Sequence, residues 1–388
     1  MKVLFAIGYD LKRSPWATRP LSLAKELSKR GIEITILYQE GEKSIPVIHS
    51  IPENISYSEL LWKMPSEKIK TLANLECWKY YIEMMNPEML HVQKPTFPML
   101  FISKAAKKMN LPLVYDWDDW EGSGGIRSGL KGIKTDYIDR WFAKNADWIV
   151  FSNKEIQKEA EKKYKRKDKY SLAPCGVDLN LFNKNNIDNN KLENLRKKLK
   201  IQPSEKVVVY HGQWEMGVDC EVLLNCIKYI GDKLPDVKFL LIGEGPKLKT
   251  FMESISTEEL KERIITTGKI PYEEIPLYLS LSYLALAPFK DDFYSWCKSP
   301  LKLYEYLALG IPVITTRVGQ AVDIINSQCG AVCEPSSGQE MGEISVQLLQ
   351  DDSKRLYLGK NSMEKAFENH SWSKVTDIFE KVYSKLSE

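Results

Sequence analysis

Residues 296–319 read WCKSPLKLYEYLALGIPVITTRVG, and this stretch holds the first residues arranged for chemistry. Ser299 suits a helix N-cap and Pro300 a first helical position. Leu301, Tyr304, Leu307 and Ala308 recur at helical spacing, and Gly310 followed by Pro312 ends the helix before the β-branched Val313 and Ile314. The first turn of a helix leaves backbone N–H groups unpaired at the positive end of its dipole, which suits an anion. Lys298 and Lys302 flank that end, where a cation opposes the dipole. A bound phosphate would reconcile the two; the alternative is a surface helix with two solvated lysines.

A second group is Asp116-Trp117-Asp118-Asp119-Trp120, after an apolar run over 111–115. Carboxylates this close repel unless they meet a ligand, a cation or solvent. Asp116, Asp118 and Asp119 are therefore candidates for a ligand-binding or catalytic site, and Trp117 and Trp120 offer faces that could stack on a ligand ring. The alternatives are acids at a helix start and tryptophans in a core. His91 and Gln93 end a strand-like segment, and Arg13 and Arg19 lie in or just after the first loop, where they read as ligand contacts or as ordinary surface and structural residues.

Composition narrows the function. The chain has 388 residues, 43% hydrophobic and 28% charged, enough for two cores. Net charge is +3, with the basic excess in residues 1–180, which is too weak for nucleic acid and compatible with an anionic membrane surface. A basic aromatic segment, with Lys131, Lys134, Arg140 and Trp141, fits the same idea. No apolar run reaches a membrane span, and 1–8 is too short for a signal peptide. The 7 cysteines form no CxxC pair, so zinc is not expected and a reducing cytoplasm is.

These residues must be positioned by the elements between them. Strand-like runs at 2–8, 32–38, 89–93, 111–115 and 148–151 alternate with helical patterns at 18–30, 67–85, 101–109 and 155–169, and 41–65 shows no clear period. Ala173–Asp178 breaks the pattern, and alternation restarts with strands at 206–211, 237–243, 264–268 and 283–287. The class is α/β, with two doubly wound Rossmann-like domains, and ligands belong beyond the carboxyl ends of the strands.

SPLKLYEYLALGIPVI resembles the donor-site helix of retaining glycosyltransferases of family 4, glycosyl transferases group 1, which have the GT-B fold of two such domains facing a cleft. The resemblance covers the whole chain and is strongest over 171–335. It implies an N-terminal acceptor-side domain at 1–174, a nucleotide-sugar-binding domain at 175–370 entered through Pro174–Asp178, and a helix at 371–388 that crosses back. It implies transfer of a sugar from a nucleoside diphosphate-sugar to a hydroxyl acceptor (glycan, lipid-linked or small molecule). No cofactor or metal is expected beyond that co-substrate.

Residue by residue, the match puts Glu305 at the ribose and the amides near Ser299 and Leu301, with Lys298 and Lys302, at the diphosphate. Gly212, Gln213 and Gly217 fall in the first turn of the second domain, Glu244 in the next, and Lys269 and Ile270 in the turn that meets the base. The chain departs from the family at four positions. Gln213 and Met216 replace an arginine and a lysine, Cys297 replaces a glutamate near the sugar, and Gln93 replaces a histidine, with His91 close by. Asp118, His91 and Gln93 are the catalytic candidates, and Arg13, Arg19, Asp116, Asp119 and Trp120 the acceptor candidates. The departures leave open a non-catalytic partner subunit of the same fold, and a sugar-nucleotide epimerase is a further alternative.

Overall fold

The computed structural model describes residues 1–12, 14, 17–39, 53, 55–60, 75–122, 125 and 129–388. Arg13, most of the glycine-rich run at 122–129 and the first half of the helix read over 67–85 lie outside the described residues. The chain divides into two compact units. The first holds Met1–Cys175, Cys297–Ser299 and Trp372–Glu388; the second holds Gly176–Trp296 and Pro300–Ser371.

In the first unit β1 (Lys2–Ile7), β2 (Glu33–Gln39), β3 (Ser56–Leu60), β4 (Met89–Gln93), β5 (Leu113–Trp117), β6 (Trp148–Phe151) and β7 (Tyr170–Leu172) form one sheet. Its order is β3-β2-β1-β4-β5-β6-β7, and every pairing is parallel. Runs such as VLFAI and LVYDW are buried on both faces, as a helix-covered parallel sheet requires. β3 lies in the stretch that lacked a clear period. β5 runs two residues beyond the apolar stretch, so Asp116 is a strand residue and not part of a loop. The last helix, Trp372–Ser387, packs back into this unit: Arg30 pairs with Asp377 at 2.8 Å and Glu380 at 2.6 Å, and Phe379 stacks on His91.

The second unit repeats the plan with β8 (Lys206–His211), β9 (Val237–Ile242), β10 (Ile264–Gly268), β11 (Leu284–Ala287), β12 (Val313–Thr316) and β13 (Gly330–Cys333). Its order is β10-β9-β8-β11-β12-β13, the doubly wound 3-2-1-4-5-6 arrangement. Two helices, Gly338–Gln350 and Asp352–Asn369, complete the layer, each capped by a side chain, Ser337 and Asp351.

The helix expected after Ser299 spans Leu301–Ala308, one residue later than read. Pro300 is its N-cap, with no side-chain cap. Ser299 does not cap it: its hydroxyl accepts the backbone N–H of Cys175 at 2.8 Å inside the first unit. Nor is this a surface helix. Leu303 through Ala308 are all buried, Glu305 among them.

Candidate functional site

A doubly wound sheet has a crevice where the strand order reverses, outside the carboxyl ends of the two strands concerned. In the second unit that point lies between β8 and β11, so it is framed by the residues after His211 and after Ala287.

The turn after β8 is laced to its neighbours through the backbone. Gly212 N–H donates to Ile242 O, Gly243 N–H to Gly268 O, and Trp214 N–H to Glu244 O, each at 3.0 Å. Gly212 (φ +145°) and Gly243 (φ +116°) take conformations that side chains rarely adopt, and a Cβ on Gly243 would sit 2.0 Å from Gly212 O. Close approach of loop to loop thus accounts for these glycines. A Cβ on Gly212 would meet Lys302 Nζ at 2.3 Å, so the glycine also clears space for that ammonium. Lys302 Nζ lies over the Tyr210 ring, 4.5 Å from its centroid, and within 5.8 Å of the Phe289 centroid. The lysine therefore stands at the switch point, with Tyr210 from β8 on one side and Phe289 after β11 on the other.

Glu305 is 2% exposed. Its Oε1 accepts the Tyr272 hydroxyl at 3.0 Å, whereas Oε2 is buried with no hydrogen bond among the described residues. Burial pushes the carboxyl up to about 7, against the pull of Tyr272 and Lys302. His211 Nδ1 stands 3.4 Å from Oε2 and is equally without a hydrogen bond. Burial, then Lys302, pushes His211 down to about 3, so at neutral pH the ring is uncharged and the contact is no ion pair. An unsatisfied buried oxygen on a charged group is costly and marks a place where a donor is missing.

Apart from the buried Gly217, the other donor candidates are more exposed. Lys269 and Glu244 face each other at 3.8 Å, Gln213 is exposed with its carbonyl accepting the Tyr210 hydroxyl at 3.3 Å, and Gly217 O accepts Lys290 N–H at 3.0 Å. Ile270 and Leu301 are half-buried. Met216, at a position where the family carries a lysine, is 44% exposed. Lys298 lies in the segment grouped with the first unit, where its carbonyl accepts Asn153 Nδ2 at 2.7 Å. Cys297 beside it is buried in that unit's apolar core.

In the first unit the order reverses between β1 and β4. Tyr9, after β1, donates its hydroxyl to Gln93 Oε1 at 2.9 Å, and Gln93 Nε2 donates to Asp118 Oδ2 at 2.9 Å. The acidic run finds a cation within the chain: Lys94 Nζ lies 2.9 Å from Asp118, 2.8 Å from Asp119 and 3.1 Å from Glu121. One ammonium against three carboxylates leaves Asp118 raised to about 7, chiefly by burial, with Asp119 and Asp116 adding to it and Lys94 opposing.

Several expectations are corrected here. Arg19 and Asp116 do not face an acceptor. They form a buried bidentate pair, 2.8 Å at both contacts, and Arg19 also donates to Ala173 O and Pro174 O. His91 is 1% exposed, stacked between Phe5 and Phe379, with Nδ1 bonded to Tyr383 Oη and Nε2 turned to Asp116 at 3.8 Å. In this arrangement the ring packs into the core and is closed to solvent, contrary to the expectation of a group open to a substrate. Gln93 is fully buried with both amide ends engaged, by Tyr9 and Asp118, so it is placed to hold Asp118 and is closed to solvent. Trp120 is 1% exposed and stacks on Trp117 and Tyr164, so its face is closed to a sugar. Asp118 and Asp119 keep side-chain exposures of 10% and 15%.

The sequence reading missed Tyr272 and His211 beside Glu305, Tyr210 under Lys302, and Tyr9, Lys94 and Glu121 around Asp118. Only Lys94 left a signal, a lysine directly after a buried strand, which needs counter-charges wherever it is buried.

The sequence pattern of the family described as Glycosyl transferases group 1 matches residues 191–365, and that of Glycosyltransferase Family 4 matches 17–181. The chain is 25% identical over 190 residues to N-acetyl-alpha-D-glucosaminyl L-malate synthase of Bacillus anthracis, a match covering 49% of this chain and 48% of that protein. It is 23% identical to D-inositol 3-phosphate glycosyltransferase of Corynebacterium glutamicum (strain R), over 94% of this chain and 90% of that protein. It thus spans about half the length of the first relative and most of the second. Among solved structures, HepE of Anabaena in complex with UDP and glucose superposes with a TM-score of 0.77 over 99% of this chain and all of that one, at 16% identity. That likeness establishes the GT-B fold.

Proposed function

Because the chain belongs to the families described as glycosyl transferases group 1 and glycosyltransferase family 4, we propose that it transfers a sugar, with retention at the anomeric carbon, from a nucleoside diphosphate-sugar to a hydroxyl acceptor. The observation that carries this reading is the unsatisfied Oε2 of Glu305. A ribose offers two adjacent O–H donors. In this reading Tyr272 holds Oε1 until a ribose hydroxyl replaces it, and the second hydroxyl satisfies Oε2. Side chains tilt toward a helix N-terminus, so Glu305 reaches back while the amides at the start of Leu301–Ala308 face a phosphate. Lys302 supplies the charge that Gln213 and Met216 lack. Charge met by a helix end and a lysine requires no metal of the protein for the diphosphate to leave.

On the acceptor side the assignment rests on Asp118 and Asp119, the cluster members that keep some exposure. A carboxyl near 7 is matched to exchanging a proton with a hydroxyl at neutral pH. Calorimetry with nucleoside diphosphates tests the donor site, and donor hydrolysis with and without chelator tests the metal. Binding of no nucleoside diphosphate at millimolar concentration would overturn the reading, and loss of turnover on chelation would overturn its metal-free form. The anomeric configuration of the product tests retention.

A lipid-linked acceptor and peripheral membrane contact at the inner face of a cytoplasmic membrane fit one helix, Gly129–Asn145. Leu130, Ile133 and Tyr137 project from it at 77%, 60% and 57% exposure, with Lys131 and Lys134 exposed beside them. Among the described residues no helix is long and apolar enough to cross a membrane. Co-sedimentation with vesicles containing anionic lipid tests this contact; recovery in the supernatant at low salt would exclude it.

A further inference from the structure

Lys94 follows the last residue of β4 and stands directly before Pro95. Its backbone φ is +73°. Positive φ is uncommon outside glycine, and a following proline steers a residue toward extended backbone, so local preference opposes this conformation twice. Residues held this way persist only where their surroundings over-determine them, and they gather at functional sites. The turn has a geometric consequence. Neighbouring residues of a regular strand point to opposite faces, yet Gln93 and Lys94 grip the same carboxylate. Gln93 Nε2 donates to Asp118 Oδ2 at 2.9 Å, and Lys94 Nζ lies 2.9 Å from Oδ1. The left-handed backbone at Lys94 brings the second of these side chains round.

The Lys94 side chain is 2% exposed, and Nζ also reaches Asp119 and Glu121. An ammonium carries three N–H groups, and three carboxylates answer them. An ammonium engaged in this way acts through the acids it holds. Of these, Asp118 and Asp119 keep 10% and 15% exposure, and Glu121 keeps 5%. Arg19, the other cation near Asp118, is committed to Asp116, and Tyr9 faces the cluster as a neutral hydroxyl bonded to Gln93. We propose that Lys94 is a positioning residue of the acceptor side, fixing Asp118 and Asp119 for an acceptor hydroxyl and offsetting their mutual repulsion. This role rests on the reading of Asp118 and Asp119 as acceptor contacts. Loss of the ammonium should raise the proton affinity of Asp118, which burial, Asp119 and Asp116 already raise and Lys94 opposes.

The full chain, isotope-labelled at its aspartate carboxyl carbons, gives the first readout by NMR titration, with the Asp118 signal identified by its loss in Asp118→Asn. In the parent it should titrate at about pH 7. Lys94→Gly suits a positive φ and removes the ammonium, so the Asp118 midpoint should rise by about 1–3 pH units, and Lys94→Arg should restore much of the difference. If Lys94→Gly fails to fold, Lys94→Met in a Glu121→Gln background, read against Glu121→Gln alone, carries the test. The second readout is nucleotide release from UDP-glucose, UDP-N-acetylglucosamine or GDP-mannose, whichever the parent turns over fastest. Lys94→Gly should lose about tenfold or more in kcat at pH 7, recover toward pH 9, and keep the parent KM for the donor. An Asp118 midpoint that does not move, or a loss of rate that is the same at every pH, would overturn the proposal. Asp118→Asn turning over at the parent rate would overturn the acceptor-side reading, a failure that leaves the Lys94 midpoints as they are.

Discussion

His211 Nδ1 and Glu305 Oε2 face each other across 3.4 Å in the interior of the second unit, and neither makes a hydrogen bond. Burial keeps the histidine neutral and raises the carboxyl to about 7, so the two neither attract as ions nor share a bond with aligned geometry. A pair left in this state lowers stability and gains its return only when a donor reaches Oε2.

Removing the carboxylate should therefore cost binding. Glu305→Ala and Glu305→Gln should weaken nucleoside diphosphate affinity by about ten- to a hundredfold, the equivalent of roughly 1.5–3 kcal/mol for charge-assisted hydrogen bonds. Titration calorimetry checks this. Unchanged affinity would remove the ribose assignment.

The same group sets a pH dependence. Ribose hydroxyls donate to the carboxylate form, so affinity should rise as pH increases toward about 7 and level off above it; Glu305→Gln should flatten the profile. Stability runs the other way. The folded-state carboxyl, near 7, lies above the usual 4.5, so the folded protein holds a proton that the unfolded chain has lost, and stability falls as pH rises between those values. Without ligand at pH 8, Glu305→Gln should be more stable than the parent by up to roughly 3 kcal/mol. Urea melts at pH 5 and pH 8 read the difference, and an equal or lower stability of the variant at pH 8 contradicts it.

Lys302→Ala should separate phosphate from ribose. With its ammonium at the switch point, the variant should lose about tenfold in nucleoside diphosphate affinity and little in affinity for the free nucleoside. Equal losses for both ligands would mean that Lys302 acts through packing on Tyr210.

Tyr272→Phe should not weaken binding. The hydroxyl competes with ribose for Glu305 Oε1, so its removal should leave nucleoside affinity equal or raise it severalfold. A tenfold loss would show that Tyr272 contacts the ligand through its hydroxyl.

The Arg19–Asp116 pair should matter for folding. Burial alone would raise Asp116, but the guanidinium overrides it and holds the carboxyl down to about 2. Asp116→Ala leaves the buried Arg19 without its counter-charge and should cost about 3–5 kcal/mol of stability, seen as a fall in melting temperature. Nucleotide affinity of the folded fraction should be unchanged. In the parent this contribution is fully present above about pH 4 and fades as pH falls toward 2.

The sequence by itself marked most strands of the two parallel sheets, because buried strands such as KVVVYH and VKFLLI and the glycine-closed helices between them are local patterns, whereas the strands Ser56–Leu60, Tyr170–Leu172 and Gly330–Cys333 carry no such pattern. It also located Glu305, since the helix that bears it is marked at both ends by proline and glycine, and it supplied the family resemblance. Ser299 shows how a local rule fails: a good capping residue spends its hydroxyl on Cys175, 124 positions away in the chain. Asp116 shows the same: it reads as one of a run of exposed acids because the arginine that neutralises it lies 97 positions earlier. Charge and hydrogen-bond satisfaction are decided by neighbours in space, and sequence spacing does not encode them. Only the tertiary structure could therefore place Lys94 among the acids, close the face of Trp120, and leave one oxygen of Glu305 without a partner.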